Sequence, residues 1–103
     1  MAENDAKILV QVKLFGHLRQ LLPQTGIELQ VDSGISVHNL IMQMLRQYND
    51  EFRQAILDPN GNLHGGIEVV LNQEHLPARK LDSITLNENC QIFILPMIEG
   101  GCH

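Results

Sequence analysis

Apolar and polar residues alternate from Ile8 to Phe15, apolar residues recur at helical spacing from Val37 to Tyr48, and strand-like runs return at Ile67 and Gln91. In Ile8-Leu9-Val10-Gln11-Val12-Lys13-Leu14-Phe15, β-branched content and period two predict a strand. One face carries Ile8, Val10, Val12 and Leu14; the other carries Leu9, Gln11, Lys13 and Phe15. Gly16 to Leu22 reads as a short helical turn stopped by Pro23. Gly26 opens a second alternating strand, Ile27 to Val31, expected to pair antiparallel with the first.

The main helix is predicted next. Ser36 is its N-cap, and Val37, Leu40, Ile41, Met44, Leu45 and Tyr48 form the stripe that faces a core. A shorter helix is expected near Asp50 to Leu57, with Phe52 and Ile56 inward. Asp58-Pro59-Asn60-Gly61 then turns the chain, because proline presets φ and Asn-Gly accepts positive φ. Ile67 to Leu71 and Gln91 to Leu95 are the remaining strands, with a turn at Asn72-Gln73-Glu74, a brief helical turn at Leu81 to Ile84, and a loop at Asn87 to Asn89. Two strands, a helix and returning strands make an α+β class, and a β-grasp with four to five strands in a mixed sheet on one main helix fits that order.

Composition narrows the roles. With 103 residues and 44% hydrophobic content there is material for one domain and one core. The net charge of −5 and the scatter of seven Lys and Arg exclude a nucleic-acid footprint. No apolar run approaches the roughly 20 residues of a membrane span, and Met1 to Asp5 lacks the apolar segment of a signal peptide. Cys90 and Cys102 make no disulfide framework, so the expected compartment is the cytoplasm. Ser/His/Asp constellations, a Walker loop, a dinucleotide fingerprint and paired metal ligands are absent from the sequence, which predicts neither an enzyme nor a metal site.

The chemistry lies near the end of the sequence, at Glu99-Gly100-Gly101-Cys102-His103. Without Cβ atoms, a Gly-Gly strip threads a narrow channel and presents an unhindered carbonyl. A glycine-rich end is also commonly just a loose terminus. Read by position, the chain divides into a flexible N-terminus (1–7), a domain (8–96) and a flexible tail (97–103).

The ordered pieces resemble the ubiquitin-like sulfur-carrier family, especially the small subunit of molybdopterin synthase and more distantly the thiamin sulfur carrier. Val12-Lys13-Leu14-Phe15-Gly16-His17-Leu18-Arg19-Gln20-Leu21-Leu22 is similar to the family's first strand and following turn. Gly34-Ile35-Ser36-Val37-His38-Asn39-Leu40 resembles its helix start, Val69-Val70-Leu71-Asn72 its third strand, and Leu86-Asn87-Glu88-Asn89-Cys90-Gln91-Ile92 the entry to its last strand. Phe93-Ile94-Leu95-Pro96-Met97-Ile98-Glu99-Gly100-Gly101 resembles its tail.

The resemblance implies a non-enzymatic carrier that binds no cofactor. An E1-like adenylyltransferase would use ATP to activate Gly101, and sulfide-level sulfur would convert it to a thiocarboxylate for a sulfur-accepting enzyme. Gly100 and Glu99 would belong to the inserted tail. Cys102 and His103 depart from the pattern, because they hold the Gly101 carboxyl as an amide. Some members of the wider group carry a short extension removed by a JAMM-type zinc peptidase, so the resemblance implies hydrolysis of Gly101-Cys102. An acyl shift onto Cys102 or a persulfide there is a weaker reading, since an exposed thiol is mostly protonated at neutral pH. A ubiquitin-like interaction module or protein modifier that carries no sulfur is the alternative function.

Alternation also sends Leu9, Phe15, Val70, Phe93 and Leu95 to the sheet face away from the helix. Scattered apolar surface residues are ordinary, but an apolar group on a solvent-facing sheet marks a docking patch. The expected partner is the E1-like enzyme, which has to recognise the domain while taking the tail.

Overall fold

A computed structural model describes residues 6–21 and 26–96. Strand β1 (Lys7–Leu14) and strand β2 (Gly26–Asp32) pair antiparallel, with Val10 opposite Leu29 and Val12 opposite Ile27. Between them lies a 3-10 helix, Gly16–Leu21, that buries Leu18. A two-residue strand β3 (Ile35–Ser36) leads into helix α1 (Val37–Leu45), and helix α2 (Asp50–Ile56) follows. The chain returns through β4 (Ile67–Leu71), β5 (Glu74–Leu76), β6 (Thr85–Leu86) and β7 (Cys90–Pro96).

The main sheet has the order β2-β1-β7-β4-β5. Its two long inner strands, β1 and β7, run parallel, and every other neighbouring pair is antiparallel. A parallel pair requires a long crossover, and here everything from β2 to β6 supplies it. This is the ubiquitin-like β-grasp. Strands β3 and β6 form a separate two-stranded sheet that pins the helix start, where the Val37 amide donates to Ile84 O at 2.9 Å.

Both helix starts are capped as side-chain chemistry requires. Ser36 Oγ accepts from the Asn39 amide at 3.0 Å, and Asn49 Oδ1 accepts from the Phe52 amide at 2.9 Å. Helix α1 then lays Val37, Leu40, Ile41, Met44 and Leu45 onto the inward sheet residues Val10, Val12, Leu14, Val69, Ile92 and Ile94. Phe52 and Ile56 of α2 are fully buried in the same cluster.

Two expectations need correction. The helix ends at Leu45, so Tyr48 is not helical; it still packs partly buried on the core, edge-to-face with Phe52 at 5.7 Å between ring centroids. The turn expected at Leu81 to Ile84 starts earlier: a 3-10 turn occupies Ala78–Lys80 and hydrogen-bonded turns continue through Ser83, whose amide donates to Lys80 O. Among the described residues, no helix is long and apolar enough to cross a membrane.

Candidate functional site: the outer sheet face and the end of the last strand

Strand alternation separates the core from the opposite sheet face, and register decides which outward residues meet. Phe93 of β7 lies between Lys13 of β1 and Val70 of β4. The Phe15 ring closes on Phe93 edge-to-face, centroids 5.5 Å apart at 64°, a favoured aromatic geometry. Phe15 is held there by its own backbone, whose amide donates to Ile94 O at 3.1 Å. Leu95 follows on the same strand, opposite Glu68. Phe15 is 40% exposed, while Val70, Phe93 and Leu95 are half-buried.

Leu9 does not join this group. It is 39% exposed, and its amide donates to Asn89 Oδ1 at 2.8 Å, near the opposite end of β7. Six residue steps along the chain separate it from Phe15, a distance of roughly 20 Å. The ground between is polar: Gln91 Nε2 donates to Gln11 Oε1 at 2.9 Å, and Gln11 Nε2 donates to Glu28 Oε2 at 3.1 Å. The five expected docking residues are therefore an apolar group of Phe15, Val70, Phe93 and Leu95, plus a separate Leu9 beyond a carboxamide strip.

The apolar group sits where β7 ends. Pro96 pairs with Ile67 and packs against Gly16, whose φ of +64° suits glycine. The tail residues Glu99, Gly100, Gly101 and Cys102 expected to carry the chemistry lie outside the described residues. Beside Leu95, His75 Nδ1–H donates to Glu68 Oε2. The pair links the edge strand β5 to β4, and among the described residues no hydroxyl or thiol completes it as a nucleophilic system. Cys90 is half-buried at the other end of β7; burial first, and the Glu88 carboxylate second, push its thiol above the ordinary value. Among the described residues, no three His, Cys, Asp or Glu side chains gather as a metal site.

The model of the ThiS family matches residues 12–101. A comparison with curated proteins gave no match. Among solved structures, small archaeal modifier protein 1 from Haloferax volcanii superposes with a TM-score of 0.77 at 18% identity, covering 90% of this chain and 99% of that one. The protein of the same name from Methanosarcina acetivorans gives 0.72 at 22% identity, covering 93% and 99%. A putative molybdopterin converting factor, subunit 1, from Pyrococcus furiosus gives 0.65 at 18% identity, covering 88% and 99%. At these identities the likeness is one of fold.

Proposed function

The chain belongs to the ThiS family, and from that premise we propose that it is a sulfur carrier whose working group is the carboxyl of Gly101. The observation that carries this reading is the extent of the family match, which runs from Val12 to the second glycine and stops before Cys102-His103.

The chemistry follows from what a carboxylate lacks. Hydrolysis of the Gly101-Cys102 amide, by a JAMM-type zinc peptidase, frees the carboxylate. A carboxylate is a poor electrophile, so its oxygen first attacks the α-phosphorus of ATP on an E1-like enzyme, and pyrophosphate leaves. Sulfide-level sulfur then attacks the acyl carbon and AMP leaves with the oxygen. The product is a glycyl thiocarboxylate, a soft nucleophile for a sulfur-accepting enzyme, of which a molybdopterin-type synthase is the nearest analogy.

Gly100 and Gly101 offer no side chains to obstruct a narrow channel. The apolar group of Phe15, Val70, Phe93 and Leu95 is the surface we assign to the E1-like enzyme, because it borders the strand end from which the tail departs. A second reading, attachment of Gly101 to lysines as a protein modifier, is favoured by the fold shared with small archaeal modifier protein 1.

One experiment separates the two. The chain ending at Gly101 is incubated with an E1-like adenylyltransferase, ATP and sulfide, and intact mass is measured. Exchange of one oxygen for sulfur is the result expected of the carrier. Isopeptide adducts on lysines point to the modifier, and an unchanged mass overturns both.

A further inference from the structure

On the helix side of the molecule, away from the outer sheet face, lies a cavity of about 290 Å³. Helix α1 supplies one wall through His38, Ile41 and Met42, which share a face because they are spaced three and four apart. Leu63 and Leu81 complete an apolar floor; Ile41 and Leu81 are fully buried. The rim is polar and cationic, made by Arg79 and Asn62 with His38.

The walls are fixed to one another by backbone hydrogen bonds. The His38 amide donates to Leu81 O at 3.1 Å, the Asp58 amide to Asn62 O at 2.7 Å, and the His64 amide to Ile56 O at 2.9 Å. The cavity is therefore pre-formed, as small-molecule sites usually are, and its volume is near the lower end of the roughly 300–1,000 Å³ such sites span.

Charge selects the occupant. The whole chain has 12 Asp and Glu against seven Lys and Arg, yet among the described residues no acid lines this cavity. Arg53 is held by Asp50 at 2.7 Å. Arg79, by contrast, makes no side-chain hydrogen bond or ion pair with any described residue. An apolar floor with an uncommitted guanidinium at its rim suits one kind of molecule.

We propose that this cavity binds a small organic monocarboxylate, its apolar body on Ile41, Met42, Leu63 and Leu81 and its carboxylate on Arg79. Guanidinium presents paired donors that match a carboxylate in fork geometry, and the Asn62 amide and His38 ring are further donors at the rim. The site is independent of Gly101 and of the sheet face.

The test is a titration of the ¹⁵N-labelled full chain with sodium benzoate, followed by two-dimensional amide spectra, alongside sodium acetate and benzyl alcohol. Benzoate is expected to move the His38, Met42, Leu63 and Arg79 amides to saturation. Acetate lacks the apolar body and benzyl alcohol the charge, so each binds about tenfold or more weakly. Arg79→Met keeps an apolar stem on an exposed residue, so its spectrum stays dispersed while benzoate binding falls about tenfold. The proposal is overturned by shifts centred elsewhere, by benzyl alcohol binding as tightly as benzoate, or by an Arg79→Met chain that binds unchanged.

Discussion

Gly16 and Pro96 meet so closely that a Cβ added to Gly16 would stand 2.7 Å from Pro96 Cγ and 3.1 Å from Cδ. The pair joins the turn after β1 to Pro96, the last described residue of β7. Gly61 is the natural comparison: its φ is +87° but nothing lies within 4 Å of its Cβ position. Gly61→Ala is expected to cost only left-handed backbone strain, about 1–2 kcal/mol. Gly16→Ala adds a steric conflict of about 1–3 kcal/mol. Urea denaturation of both variants checks this; equal losses would mean that the contact with Pro96 carries no energy.

The hairpin between β4 and β5 offers a gain. Asn72 and Gln73 form its two-residue loop, with φ of +54° and +70°, and Leu71 pairs with Glu74 across it. Both values suit a type I′ turn, for which Asn-Gly is the preferred pair. Asn72 is already in place, while Gln73 bears the steric cost of left-handed backbone. Gln73→Gly is expected to raise stability by about 0.5–1 kcal/mol, after the greater freedom of glycine in the unfolded chain is subtracted. A raised urea midpoint with an unchanged slope is the expected record.

These relationships mark how far sequence reading reaches. Alternation in β1 and β2 and the stripe from Val37 to Leu45 identify buried faces directly, because one side of each element is apolar. Tyr48 misleads for a physical reason: it leaves the helix yet keeps its ring on the core, so periodicity cannot mark the helix end. Strands β3 and β6 have two residues each, too few to show any period. At the sheet face, alternation tells which side a residue occupies but not its neighbours. The parallel register of β1 with β7 joins Phe15 to Phe93 and leaves Leu9 apart. Arg79 and His38 carry no sequence signal as a pair, because only the fold brings such distant residues to one cavity.

Cys90 predicts a pH dependence whose sign is fixed. Its thiol is raised in the fold by burial and then by Glu88, so folding favours the protonated form. That contribution is present below the unfolded thiol value of roughly 8.5 and is lost as pH climbs through the higher folded value. The stability difference between wild type and Cys90→Ala should therefore shrink as pH rises from about 8 to 10. In chains ending at Gly101, Cys90 is the sole thiol, and iodoacetamide at neutral pH should alkylate it more slowly in the native protein than in urea. A difference that widens with pH, or equal alkylation rates, contradicts the assignment.

The docking role of the outer face rests on Phe93, which touches Phe15 and neighbours Val70, whereas Leu9 stands alone across Gln11 and Gln91. An interface takes most of its energy from a few clustered aromatic anchors, each worth about 2 kcal/mol or more. Phe93→Asp in the chain ending at Gly101 is thus expected to lower kcat/KM for adenylylation by an E1-like enzyme roughly thirtyfold or more. Leu9→Asp places the same charge on the same face and is expected to leave that rate nearly unchanged. Amide spectra of both variants confirm that the fold persists, and Phe93→Ala, which loses only the ring, provides a second measurement should the charge disturb it. The unsubstituted chain must be adenylylated first; its inertness would reject the carrier reading itself. Equal effects at positions 93 and 9 would reject only the docking surface, since they would show that the enzyme responds to charge on the sheet rather than to an aromatic anchor beside the strand end.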